Sequence, residues 1–196
     1  GGCSAVDFST PPATLTVTAI VPTVTPASAT ICTGTVQQLT LTNTLGNTNL
    51  ISEGFEGGAL PAGWNMQNLS TPIGTTPTWI FNSAVLAPAQ TGTANSYALG
   101  NFNNVAGNNT ISNWLITPTV AIKNGDVFSF WSRTVAGPLF PDRLEVRLST
   151  NGASTNVGAT NTSVGDFTTL LLTINPTLTT TGYPSVWTQY TITVSG

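Results

Sequence analysis

From residue 143 to residue 148 the chain reads Arg-Leu-Glu-Val-Arg-Leu, charged and apolar residues in strict alternation. Successive side chains on an extended strand point to opposite faces, so this period of two predicts a strand. Leu144, Val146 and Leu148 would take its buried face and Arg143, Glu145 and Arg147 its wet one, the three charges forming a solvated cross-strand ladder. The same period recurs where Phe128 and Phe130 alternate with Val127, Ser129 and Trp131, and where Tyr190, Ile192 and Val194 alternate with Gln189, Thr191 and Thr193. Further strands are predicted at 15–21, 36–42, 78–81, 97–99, 114–117 and 167–174. Asn124-Gly125 tolerates the positive φ of a tight turn and predicts a hairpin between the apolar segment 119–122 and the strand that begins at Val127.

No window of a dozen residues carries an apolar stripe with the 3.6-residue period of a helix. The abundant Thr, Asn and Gly are also poor helix formers. The predicted fold class is therefore all-β, an antiparallel β-sandwich of jelly-roll type with an extended N-terminal strand and linker segment.

Composition narrows function mainly by exclusion. Of 196 residues only eleven are charged, seven acidic and four basic, and there is no His. Without imidazole there is no Ser/His/Asp or Cys/His nucleophile system and no His-ligated zinc. Four basic residues against a net charge of −3 cannot neutralise the phosphates of nucleic acid or of an anionic membrane surface. Apolar runs are all broken before the roughly 18 residues needed to span a bilayer. Disorder is opposed by five Trp, eight Phe and three Tyr, more large aromatics than polar disordered tracts carry.

The charges are unevenly placed, which divides the chain. Residues 1–50 hold one, Asp7, and the run Val21-Pro22-Thr23-Val24-Thr25-Pro26 reads as an extended connector flanked by strands. All five Trp lie between Trp64 and Trp187, so residues 51–196 are expected to form the main domain. The two cysteines, Cys3 and Cys32, both fall in the first part. They could pair with each other, remain as partly buried thiols, or each pair with a partner outside the chain; no C-x-x-C exists to mark a zinc site.

Residues 53–64, Glu-Gly-Phe-Glu-Gly-Gly-Ala-Leu-Pro-Ala-Gly-Trp, open a series of ordered motifs. Trp79 follows, then Asn113-Trp114-Leu115-Ile116-Thr117-Pro118, Phe128-Ser129-Phe130-Trp131, Asp142-Arg143-Leu144-Glu145-Val146 with Leu148-Ser149-Thr150, and Trp187. In this order they resemble the cleaved-adhesin or choice-of-anchor J domains, MAM-like jelly rolls of secreted surface proteins of Bacteroidetes-type bacteria. Residues 22–34, with Ile31-Cys32-Thr33-Gly34, resemble the junction between Ig-like modules of such proteins. That resemblance implies that Cys3 and Cys32 belong to different modules and that the chain is a piece of a longer polypeptide. It also implies closing strands beyond the segment that ends at Gly196; either they are supplied by the longer polypeptide, or another segment fills the gap, for which the 15–21 strand of the same or a neighbouring molecule is a candidate by β-augmentation.

The resemblance further implies a structural calcium near Glu56, with Glu53, Asp126 and Asp142 as weaker candidate ligands. Calcium takes six to eight oxygen ligands, but Asn65, Gln67 and Asn68 are neutral where calcium-rich relatives carry acids. A glycosidase pair is not expected, because Asp142 and Glu145 have odd strand spacing and face opposite sides. Of the five Trp, most read as core, and Trp131, out of phase with Phe128 and Phe130, is the candidate for ligand binding. Sequons at Asn68, Asn108 and Asn161 would mark exposed loops. The expected function is a non-enzymatic extracellular module of a modular bacterial surface protein or fibre, secreted and cell-surface associated. Its expected ligand is a glycan or a protein surface. The alternatives are a carbohydrate-binding module and a filament subunit built by strand exchange with copies of itself. No nucleic-acid partner and no membrane insertion are expected.

Overall fold

The computed structural model describes residues 49–195 except 77 and 85, together with the backbone of four strands in the first 48 residues. Those four are β1 (Ser4–Ala5), β2 (Ile20–Thr25), β3 (Thr30–Ile31) and β4 (Thr40–Leu45). The chain divides into two units, Gly1–Leu50 and Ile51–Gly196. In the first, β1 pairs with β3 and β2 with β4, both antiparallel.

Here the expected connector is a strand. Val21 to Thr25 belong to β2 and pair residue by residue with β4, Pro22 lying opposite Asn43. Proline's fixed φ is compatible with extended backbone and its missing N–H is tolerated at a sheet edge, while the alternating Val and Thr are β-formers. Ile20 and Val21, the described part of the expected 15–21 strand, pair with Leu45 and Thr44. Cys3 and Cys32 lie outside the described residues.

The second unit contains β5 (Asn65–Asn68), β6 (Asn113–Ile116), β7 (Val127–Ser132), β8 (Leu144–Leu148), β9 (Thr169–Ile174) and β10 (Thr188–Thr193). Its only helical element among the described residues is a 3₁₀ turn at Phe102–Asn104. The described chain is thus all-β and antiparallel, as the period of two predicts, and consistent with a sandwich. β5 pairs with β6, β7 with β10, and β8 with β9. The last two pairs are nested: β8 and β9 adjoin in sequence inside β7 and β10, the connectivity of one long hairpin doubled back on itself.

The expected hairpin at Asn124-Gly125 is not formed. A turn is present, with Gly125 at φ 89° and the Asp126 amide donating to the Lys123 carbonyl at 3.1 Å. The partner of β7, however, is β10, and the ladder continues past the turn through Gly125 N–H to Val194 O. The 119–122 segment, which follows Pro118, is irregular backbone with no strand assigned. β8 also departs from expectation, since all five of its residues are half-buried on both faces. Between Val146 and Arg147 the register to β9 shifts by one residue, and such a bulge re-aims the side chains that follow it. The charges form a same-strand chain, with Glu145 3.4 Å from Arg143 and 2.7 Å from Arg147, because they sit two residues apart on one face.

A small apolar cluster of Ile116, Val157 and Phe167, with Leu69 and Trp114 against it, joins β6 to the loop before β9. The Trp114 and Phe167 rings are 5.5 Å apart. Much of the remaining order comes from buried amides. Asn104 is fully buried, and its Nδ2 donates to the carbonyls of Thr76 and Thr78 while its Oδ1 accepts from Asn101 N–H. Asn175, at φ 56°, donates to the carbonyls of Asp142 and Thr179 and accepts from Thr179 N–H. Asn tolerates this left-handed backbone better than other non-glycine residues. Asn68, expected in an exposed loop, lies in β5 and donates to Asn104 O.

Candidate ligand site

Two places bring polar side chains together in ways that packing alone does not require. The first is the loop that opens the second unit. Phe55 holds φ 60°, a left-handed conformation unusual for a bulky residue. It is held there by aromatic contacts, edge-on to Trp64 at 5.5 Å and stacked on Phe81 at 5.7 Å, and by its N–H donating to Glu53 Oε1 at 2.6 Å. This turn folds the Glu56 carboxylate back over Gly54, where a Cβ would lie 2.1 Å from Glu56 Oε1. A Cβ at Gly92 would be 3.3 Å from both Glu56 Oε1 and Ser96 Oγ. The glycines therefore leave space that the carboxylate and the hydroxyl occupy. Thr93 Oγ1 bonds Ser96 Oγ at 2.7 Å and donates to Asn95 Oδ1 at 2.8 Å, and Asn95 Nδ2 donates to Asn82 Oδ1. Asn82, itself at φ 61°, packs over Gly58.

The other candidate metal ligands are used elsewhere. Glu53 serves the Phe55 amide, and Asp126 Oδ2 accepts from Lys123 N–H at 2.9 Å to close its turn. Asp142 lies just before β8, where partial burial beside Tyr183 pushes its carboxyl above the usual range. Among the described residues no group of three or more His, Cys, Asp or Glu is placed to hold a metal ion. Around Glu56 the donors are all oxygen or amide, which suits a hard cation by chemistry, with one carboxylate to supply charge.

The second place is the outer face of β7 and β10. Along β7 the residues Val127, Ser129 and Trp131 are exposed while Phe128, Phe130 and Ser132 face inward; along β10 the exposed set is Gln189, Thr191 and Thr193. The register sets Trp131 opposite Gln189, Ser129 opposite Thr191 and Val127 opposite Thr193. Trp131 is 42% exposed, whereas the other four Trp are half-buried. The inward face is fixed by aromatic packing, Phe130 stacked on Tyr190 at 5.5 Å and 5.6 Å from Phe128. Ser132 bonds the hydroxyl of Tyr183 at 2.6 Å, and burial pushes the Tyr183 phenol up to about 12.

Two buried polar groups stand apart from this satisfied pattern. Trp79 Nε1 and both side-chain polar atoms of Asn113 are buried without a hydrogen-bond partner. Asp166 shows the reverse, a half-buried residue whose carboxylate accepts from Ser154 Oγ, Asn151 Nδ2 and Asn156 Nδ2. Ser96, Asn82 and Asn95 around Glu56, and Gln189 beside Trp131, were not singled out by sequence; only the alternation of β10 signalled that Gln189 and Thr191 share a face.

Residues 48–195 match the Cleaved Adhesin Domain family. The chain belongs to that family. The match covers the whole of β5 to β10, and with it both the Glu56 loop and the Trp131 face. Membership makes the chain an adhesion-related surface module, in accord with the ordered motifs from Glu53 to Trp187. No curated protein and no solved structure matches it. Among the described residues no helix is long and apolar enough to cross a membrane.

Proposed function

We propose that this cleaved-adhesin chain is a non-enzymatic module of a secreted, cell-surface bacterial protein, and that it binds ligands on external surfaces through a rigid, sparsely charged β scaffold. The observation that carries this reading is the family match across residues 48–195. The chemistry of the chain supports it: there is no His in the sequence, and among the described residues Glu53, Asp126 and Asp166 bond loop amides and hydroxyls while Glu145 pairs with Arg143 and Arg147. The nested pairing of β7 with β10 around β8 with β9 supports a jelly-roll arrangement of the sandwich. Residues 1–50 are read as the junction with a neighbouring Ig-like module of a longer polypeptide.

A calcium ion at the Glu56 loop is part of the proposal. Glu56 would hold it with the Ser96 hydroxyl and loop oxygens, and the ion would cross-link the strained Phe55 turn to the 92–96 segment. Its contribution is structural, fixing the loop that begins the sandwich. The test of function is retention of the purified chain on immobilised glycoproteins and polysaccharides, with the layer's mass followed over time. Saturable retention with an intact layer supports the reading, and steady loss of layer mass would show an enzyme instead.

A further inference from the structure

An exposed tryptophan near one end of a strand pair calls for an explanation, because its indole has a large apolar face that burial would remove from water. Its surroundings are specific. Trp131, Ser129, Gln189, Thr191, Thr193 and Val127 make up the outer face of β7 and β10, three residues on each strand, and none is charged. Residues two apart on a strand are about 7 Å apart and paired strands about 5 Å, so the strip measures roughly 14 Å along β7 and one strand spacing across. Among the described residues, the side chains of Ser129, Gln189, Thr191 and Thr193 join no hydrogen bond. An amide and three hydroxyls thus point outward beside a flat aromatic ring.

We infer that this face binds a neutral polysaccharide chain, the Trp131 indole stacking on a sugar ring and Gln189, Ser129 and Thr191 bonding its hydroxyls. The face is matched to such a ligand in charge as well as shape. The nearest charged groups lie beyond the strand ends: Asp126, which accepts from Lys123 N–H, at one end, and Arg133, whose Nε donates to Thr134 O, two residues past Trp131 at the other. An anionic glycan would find no cation among the six residues of the strip, and an apolar protein surface would leave the outward amide and hydroxyls without partners. A sugar ring offers apolar C–H faces to the indole and hydroxyls to the polar groups at once. The platform is pre-organised, because the inner residues of the same strands are locked by the Phe128, Phe130 and Tyr190 rings, so little ordering is needed on binding.

This inference rests on the adhesion reading and deepens it. The test is calorimetric titration of the full chain with cellohexaose, mannohexaose, xylohexaose and a heparin hexasaccharide, beside the W131A and Q189A variants. Binding of at least one neutral oligosaccharide is expected, with none to heparin. Loss of the stacking ring should weaken binding about tenfold and loss of the amide about threefold. Both side chains are exposed, so both variants should keep the wild-type denaturation midpoint. Silence toward every neutral sugar overturns the inference, as does W131A binding with wild-type affinity. So does self-association that W131A abolishes without any sugar binding, which would make the face an interface between copies. If both proteins adhere equally to a glycoprotein layer, the face assignment fails while the adhesion reading stands.

Discussion

Asn104 is the residue whose removal should cost the scaffold most for the smallest change in volume. It is wholly inaccessible to solvent, and its side chain satisfies three backbone groups from two segments, Thr76 O and Thr78 O on one and Asn101 N–H on the other. In Asn104→Ala all three lose their partner within a buried site. A net hydrogen bond contributes about 1 kcal/mol and a buried orphan costs about 1–3 kcal/mol, so a loss of about 3 kcal/mol is expected, with a ceiling near 5 kcal/mol from typical measured extremes. Set against a total stability of about 5–15 kcal/mol, this is a large fraction. With a urea m-value of about 2 kcal/mol/M the midpoint should fall by about 1.5 M. Asn104→Asp, nearly isosteric, should do at least as much harm, because a carboxylate facing two carbonyls adds an unpaired buried charge. The assay is urea denaturation followed by tryptophan fluorescence. A midpoint for Asn104→Ala within about 0.25 M of wild type, equivalent to about 0.5 kcal/mol, would refute the view that buried amides hold these loops.

Other predictions concern single groups. Asn113→Val should raise stability by about 1 kcal/mol, since it replaces a buried amide without partners by a β-branched side chain of similar size; a lower denaturation midpoint would mean that an unseen partner satisfies the amide. The Ser154 hydroxyl first, then Asn151 and Asn156, hold the Asp166 carboxyl below the usual range, so its stabilisation is present above the usual carboxylate range and lost as pH falls through the lowered value. Burial pushes Asp142 the other way, so its contribution is full below its ordinary value of 3.8 and is lost as pH rises through the raised one. Accordingly, Asp166→Asn should flatten the acid-side rise in melting temperature, and Asp142→Asn should increase stability at pH 7; opposite signs would contradict both assignments. Calcium should raise the melting temperature and Glu56→Gln should remove that shift, the stabilisation reaching about 2.7 kcal/mol at a hundred times Kd; an unchanged melting curve in calcium would remove the ion from the account.

The period of two carried most of the strand assignment. Val127–Ser132 and Thr188–Thr193 coincide with the alternation of Phe128, Phe130, Tyr190 and Ile192, because each strand has one aromatic inner face. β5 was illegible: Asn-Met-Gln-Asn shows no apolar alternation, and it is a strand because its backbone pairs with β6. Pairing itself was also illegible. Asn124-Gly125 marks a turn correctly, but a turn determines only that the chain reverses, while the choice of β10 over 119–122 as partner for β7 depends on what each segment buries. For the same reason sequence could expose Trp131 and not place Gln189 opposite it, since 58 residues separate the two, the difference between positions 189 and 131. Asn104 and Asn175 read as ordinary loop residues, because a polar side chain's burial depends on carbonyls brought to it from distant segments. The resemblance supplied what periodicity could not, namely the order of motifs from Glu53 to Trp187 and the family they mark.

The most direct test of the account is surface plasmon resonance of the full chain over layers of mucin-type glycoprotein, matrix protein and neutral polysaccharide, with each layer's mass monitored throughout. An adhesion module of this family is predicted to bind at least one layer saturably and reversibly and to leave it intact. Absence of binding to every layer, or erosion of the layer by the protein, would contradict the central claim.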